Sequence, residues 1–360
     1  MREHLAGSRI ALVYSFPKIS DPSSRWYDRW RSRVIMSYGE ALERLEILPF
    51  YCDVDTFIEK AALGSLPSCD AAISLNAGVW PVSNFALVPA VAQWYQIPVV
   101  PCTADVIIAG ERKDLANAMA VRAGLRVPKT YEQGGLSEAR SERFVVVKPR
   151  DLGGSYGLQK TSGEHLNEED FNGGKIVQRF IPGYDVTVPV FTDATSGEIV
   201  VGDATVYFPS NADPTSWVYD RAAKDAYVGG EKVTSVVRHQ FPLDEYARKQ
   251  VIDLCSAIGV DCFARIDFRI ELDKPDVLKV ITADRLYFIE INPMPTVCTG
   301  LAFIESFRSW AKRRFADGGA NLAPGLSPDD DYDLIAYILA HALSGQLGPI
   351  KMNNRNQIGS

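Results

Sequence analysis

Apolar residues in the first hundred or so positions fall into short runs separated by stretches of helical spacing. RIALVY (9–14), ILPFYC (47–52), DAAISL (70–75) and IPVV (97–100) read as strands. RSRVIMSYGEALERLE (31–46) carries its apolar residues at helical intervals, and a further helix is expected at 84–95. Such alternation of strand and helix predicts a parallel sheet covered by helices. Farther along, GERKDLANAMAVRAGLRVPKTY (110–131) predicts a helix that stops at Gly124. KIVQRFIPGYDVTVPVF (175–191) and GEIVVGDATVYF (197–208) are rich in strand formers. DEYARKQVIDLCSAIG (244–259) reads as a helix ending on glycine. CFARIDFRI and RLYFIEIN read as two more strands, and DYDLIAYILAHAL (331–343) as a closing helix before a polar, loose tail.

Two stretches are loops with a claim to function. FPKISDPSSRWYDRW (16–30) follows the first strand, on the side where open α/β sheets meet ligands. It reads either as a substrate loop or as a surface loop anchored by aromatics. Residues 209–234 form a long polar connection, expected to be a lid that orders on substrate.

Alternation along the last two strands places chemistry. In ARIDFRI, Arg265, Asp267 and Arg269 share one face; in LYFIEIN, Phe288, Glu290 and Asn292 share one face. If the strands pair antiparallel, Asp267, Glu290 and Asn292 converge as an all-oxygen set. That set suits Mg²⁺, which takes few protein ligands and completes its shell with water and phosphate oxygens. Arg265 beside it could stabilise charge on a phosphoryl or acyl group. The plainer reading is a solvated face with an incidental charge pattern. Upstream, RFVVVKPRDLGGSYG (143–157) ends an apolar strand on Lys148 and turns through Gly153, Gly154, Ser155 and Gly157. Glycines let backbone amides close on an anion. The lysine precedes the glycines, so this is not a Walker A loop, and by itself it could be a plain turn.

Composition narrows the choices. The 360 residues carry a net charge of −7, against the cationic surplus that nucleic-acid binding needs. The six cysteines lack a CxxC spacing, and the four histidines lack HExxH, which argues for reduced thiols and against zinc. Neither a signal peptide nor a window long enough to span a membrane stands out. A cytoplasmic protein without a membrane or nucleic-acid partner is expected.

Taken in order, these parts resemble the ATP-grasp superfamily, and within it the D-alanine–D-alanine ligase-like enzymes, over about Lys113 to Asn292. The resemblance implies an ATP-grasp fold of mixed α/β and α+β class. An N-terminal parallel α/β domain (1–110) would precede two α+β domains clasping ATP (111–186 and 187–345), with a loose tail (346–360). It implies ATP contacts from Lys113, Lys148, Gly153, Gly154 and Ser155. The hinge QRFIPGYD would offer Gln178, Arg179, Phe180 and Ile181 to the adenine and Asp185 to the ribose, with Ile289 against the nucleotide. Lys224 and Arg265 would be catalytic; Asp267, Glu290 and Asn292 would hold Mg²⁺. Members activate a carboxylate with ATP as an acyl phosphate, which an amine then displaces. Small-molecule carboxylate and amine substrates are therefore expected, and dimers are common in the family.

The chain departs from the dipeptide ligases at substrate positions. Asn76 stands where a histidine is usual, Gly154 where a serine is, and Asp225 where a tyrosine is. Asp21 lies at no matching spacing for the ammonium-binding acid, and NPMPTVCTG replaces the usual turn after the metal strand. These departures imply an altered substrate, joined or cyclised in specialised metabolism. A second reading, from another class, is an ATP-binding regulatory or assembly protein without turnover.

Overall fold

The computed structural model describes residues 2–15, 32–76, 84–209, 213, 216–220, 236–272, 278–315, 322 and 325–357. A short α1 (Arg2–Leu5) leads into β1 (Arg9–Tyr14), followed by α2 (Ser32–Arg44), β2 (Leu48–Asp53) and α3 (Val54–Ala62). Then come β3 (Ala71–Leu75), α4 (Leu87–Trp94) and β4 (Val99–Val100). The four strands form a parallel sheet in the order β2-β1-β3-β4. Alternation along β1 shows why it is covered on both faces. Ile10 and Leu12 pack with Val34, Tyr38 and Leu42 of α2, whereas Ala11 and Val13 pack with Phe57 of α3 and Val88 of α4.

Two helices, α5 (Ala104–Glu111) and α6 (Lys113–Arg122), lead out of this sheet. Next come β5 (Thr130–Tyr131), α7 (Leu136–Arg140), β6 (Val145–Pro149), β7 (Gln159–Thr161) and β8 (Lys175–Arg179). Their strands make an antiparallel sheet, β5-β8-β6-β7, over a small core of Tyr131, Val145, Val147, Leu166 and Val177.

The largest sheet takes β9 (Tyr184–Thr192), β10 (Ile199–Val201), β11 (Ala204–Pro209), β12 (Val236–Phe241), β13 (Phe263–Ile270) and β14 (Leu286–Asn292). Its order is β12-β11-β9-β13-β14, with β10 paired to β9. α8 (Glu245–Ile258) crosses between β12 and β13; the Asp244 side chain caps its first turn and Gly259, at φ 92°, ends it. α9 (Ala302–Phe315) and α10 (Asp331–Gln357) complete the fold. The parallel sheet expected from the pattern, and the mixed α/β and α+β class that the resemblance implies, are what these sheets show.

Three local expectations are corrected. α9 was not foreseen, although Phe303, Phe307 and Ala311 bury one face at helical spacing. The closing helix runs to Gln357, well past 343, so the expected loose tail begins inside a helix. Leu347 is buried and Gln346 donates to Asp261 at 2.8 Å, which ties this turn to the body despite the glycines at 345 and 348. Finally, β13 and β14 do pair antiparallel, but the register slips after Asp267. Asp267 faces Glu290 while Phe268 faces Phe288, leaving Ile289 as an extra, bulged residue. The bulge turns Phe288 away from Glu290 and into the core, where its ring lies 6.1 Å from that of Phe268.

Candidate functional site

One face of the large sheet carries a row of polar side chains. Arg238 of β12 pairs with Tyr207 of β11; Thr187 of β9 pairs with Asp267 of β13; Asp267 pairs with Glu290, and Arg265 with Asn292. The row opens on a cavity of about 360 Å³, in the range of ordinary ligand pockets. Of the expected residues, Lys113, Lys148, Gly153, Gly154, Ser155, Asp185, Arg265, Asp267, Ile289, Glu290 and Asn292 line it. Three regions of the chain thus converge: the start of α6, the β6 end with its glycine loop, and the bulged β13–β14 pair.

Burial sets the electrostatics. Lys113 and Lys148 are 4% and 5% exposed, unusual for a side chain that needs water or a counter-charge. The Lys113 ammonium lies 3.3 Å from a Glu290 oxygen and donates to the Leu152 carbonyl at 2.6 Å. It thereby fastens the glycine loop to the Glu290 carboxylate. Burial, together with the nearby charge of Lys113, lowers the pKa of Lys148 to about 8. An anion entering here would restore its charge. In the loop, Gly154, Ser155 and Gly157 all take left-handed φ near 60–66°. Ser155 is the informative one, because a non-glycine residue there is strained and such strain gathers at ligand-binding turns. Gly157 has no choice, since a Cβ would sit 2.9 Å from Pro149.

Asp267 is held on every side. It accepts from Thr187 at 2.8 Å, from Arg265 at 2.7 and 3.0 Å, and from Asn292 at 3.0 Å. Burial works against the Arg265 charge, but the Asp267 carboxylate overrides it and raises the guanidinium pKa. Among the described residues no group of three or more His, Cys, Asp or Glu forms a metal cluster. The donor set is instead two carboxylates and an amide on adjacent strands. With both acids lining an anion-ready cavity, that chemistry fits a hard cation such as Mg²⁺ sharing its shell with phosphate oxygens.

The hinge residues behave differently. Among the described residues lining the cavity, Gln178, Arg179, Phe180 and Ile181 are not present. Gln178 is buried and donates to Thr130 Oγ1 at 3.1 Å; Arg179 is half exposed; Phe180 and Ile181 are buried in the fold. Residues 216–220 lie beside them. Lys160 donates to the Ser216 carbonyl at 2.7 Å while its ammonium sits 4.5 Å from the Phe180 ring centre. Tyr219 stacks on Tyr207 at 4.7 Å, its carbonyl accepts from Ser155, and its amide donates to Asp185 at 3.2 Å. Of the expected lid, 209–234, residues 209, 213 and 216–220 are described, and 216–220 contacts the site through Tyr219; the remainder, with Lys224 and Asp225, lies outside the described residues, as does the loop 16–30 with Asp21.

Several cavity residues escaped the sequence reading. Thr187 and Tyr207 could have been found by extending the alternation argument from β13 to its neighbours. Arg238, Glu111 and Phe85 had no motif to mark them. Met294, Pro295, Thr296, Leu301 and Phe303 form the wall beyond Asn292. They come from the NPMPTVCTG turn, from Leu301 just after it, and from the unforeseen α9. Arg238 is fixed there by Glu305 at 2.7 Å and the Gly300 carbonyl at 3.1 Å.

Comparison with known proteins bears on the family and the fold. Residues 111–298 match the family model of the ATP-grasp domain. No curated protein matches the chain by sequence. Among solved structures, D-alanyl-alanine synthetase A from Vibrio cholerae is similar with a TM-score of 0.66 at 10% identity, over 95% of this chain and 99% of that one. D-alanine–D-alanine ligase from Bacillus anthracis complexed with ATP gives 0.60 at 14% identity, over 95% and 99%. VanG D-Ala:D-Ser ligase from Enterococcus faecalis gives 0.59 at 16%, over 93% and 99%. The likeness extends the shared fold to nearly the whole chain, beyond the matched domain. The glycine loop, the two buried lysines and the paired acidic strands all lie within the matched residues, and the chain belongs to the ATP-grasp family.

Proposed function

We propose that the protein is an ATP- and Mg²⁺-dependent carboxylate–amine ligase that works through an acyl phosphate and releases ADP. The observation that carries this reading is the convergence of Lys113, Lys148 and Arg265 on the Asp267–Glu290–Asn292 set within one cavity. In this reading Lys113, Lys148 and the loop 153–155 hold the phosphates. Asp267, Glu290 and Asn292 hold the metal, which supplies charge neutralisation at the transferred phosphoryl group. Arg265, anchored by Asp267, stabilises the oxyanion formed when the amine attacks. Lys224, by its match to the family's motif, is assigned to the phosphates. Gln178, Arg179, Phe180 and Ile181 receive the adenine once 216–220 adjusts, and Asp185 receives the ribose.

Residues 1–110 supply one substrate wall through Phe85, and the two ATP-grasp parts, 111–186 and 187–345, supply the rest. The substrates are amino-acid-like, joined or cyclised in specialised metabolism, because the departures at Asn76 and the NPMPTVCTG turn stand at the family's substrate positions while Lys113, Lys148, Asp267, Glu290 and Asn292 are kept. All six cysteines are free thiols, five of them buried, and among the described residues no helix is long and apolar enough to cross a membrane. Both facts suit a cytoplasmic enzyme. A panel of amino acids and amines, assayed for Mg²⁺-dependent ADP and phosphate release and followed by mass measurement of the product, tests the proposal. Release of AMP in place of ADP would contradict it.

A further inference from the structure

Arg269 is a charged side chain with 5% exposure, and nothing in the family motif calls for it. Its guanidinium makes four hydrogen bonds. Nε donates to the Ile181 carbonyl at 2.7 Å; Nη2 donates to the carbonyls of Gly183 at 2.7 Å and Trp217 at 3.0 Å; Nη1 donates to Asp185 Oδ2 at 2.8 Å. The group also stands 4.9 Å from the Phe180 ring centre. The turn that wraps it is made by Gly183, at φ 123°, where a Cβ would sit 1.9 Å from the Ile270 carbonyl oxygen. A buried ion pair is a weak device for stability, because desolvation offsets its Coulomb gain. What arginine adds is a rigid planar fork, which ties the hinge and residues 216–220 to a single carboxylate.

That carboxylate faces the cavity. Asp185 Oδ2 takes the Arg269 bond from one side and the Tyr219 amide from the other. The Arg269 bond lies within the body of the fold and does not depend on 216–220, so it alone keeps the carboxylate in one orientation when that segment adjusts. We propose that Arg269 is a positioning residue for the nucleotide: it aims the Asp185 carboxylate at the ribose hydroxyls. The inference rests on the reading that Asp185 meets the ribose. It adds that this contact fails without the fork, even when Asp185 is intact.

Calorimetric titration of the full chain with Mg-ATP and with Mg-2′,3′-dideoxy-ATP tests it without any knowledge of the acyl substrate. The wild type is expected to favour ATP by about tenfold or more, the worth of a hydrogen bond to a charged group. D185A should bring the ratio close to one. R269M should do the same while binding the dideoxy nucleotide within about threefold of wild type; a merely structural role would weaken both nucleotides together. R269K keeps the charge without the fork and should also lose the preference, so it carries the test if R269M does not fold. An unchanged ratio in the Arg269 variants, beside a lost one in D185A, would overturn the role of Arg269 alone. A ratio that survives D185A would overturn the ribose reading and this inference with it.

Discussion

At one end of the cavity Lys113, Arg265, Asp267, Glu290 and Asn292 hold one another by ion pairs and hydrogen bonds, with Lys148 buried among them. At the other end Phe85, Met294, Leu301 and Phe303 line the cavity with apolar side chains, and Arg238 is anchored beside them by Glu305 and the Gly300 carbonyl. The charged end is assembled in the protein itself, so its dipoles need little reorganisation when phosphate arrives. The apolar end fixes a shape, and hydrophobic walls discriminate only modestly per methylene. Substitutions should therefore abolish function at the first end and redirect it at the second.

The largest expected effect is at Glu290. Glu290→Gln should lower Mg²⁺-dependent ADP formation by on the order of a hundredfold or more, with the thermal midpoint little changed. Retained turnover would remove Glu290 from the metal set. Next comes Lys148, whose lowered pKa makes the charged end pH-sensitive. The folded protein gives up this proton near pH 8, while the unfolded chain keeps it to about 10.5. The unfolded state then binds more protons between those values, so this group's contribution to stability rises across that window. Nucleotide binding runs the other way. Phosphates need the charged lysine, so Mg-ATP affinity should fall above pH 8 by up to about tenfold per unit. Lys148→Met should bind Mg-ATP weakly and flatten that slope; a wild-type slope in the variant would place the titration elsewhere.

Smaller effects belong to the apolar end. Leu301→Ala should change kcat/KM between small and bulky substrates by about tenfold while leaving Mg-ATP affinity within about twofold. An equal loss for both ligands would erase the contrast between the two ends. The smallest effect is expected for Tyr207→Phe. Its hydroxyl contacts Thr187 at a long 3.4 Å, so stability should shift by no more than about 1 kcal/mol in denaturant unfolding.

What could be read from the sequence follows the same division. The charged end was legible because lysines and acids on apolar strands are conspicuous, and alternation places them on a face. Alternation misplaced Phe288, however, because a bulge at Ile289 resets the period and no residue type marks it. Arg269 was placed on the right face without its role, since nothing local shows that the chain returns at Trp217 to meet it. The hinge residues 178–181 were expected by resemblance, yet the fold buries Gln178, Phe180 and Ile181, leaves Arg179 half exposed, and keeps all four off the cavity lining. The apolar end stayed hidden for a simpler reason. Phe303 and Met294 look like any core residue, and α9, which carries part of that wall, was overlooked for lack of a clean start signal.

The central claim is that this cavity transfers phosphate to a carboxylate oxygen. Its most direct test uses the substrate found in the screen, labelled with ¹⁸O in its carboxylate, incubated with Mg-ATP and the amine. Mass analysis of the released phosphate should show one ¹⁸O per turnover, because the amine displaces phosphate from the acyl phosphate and the phosphate carries away the bridging carboxylate oxygen. Label found in AMP, or phosphate free of label while amide accumulates, would contradict the account.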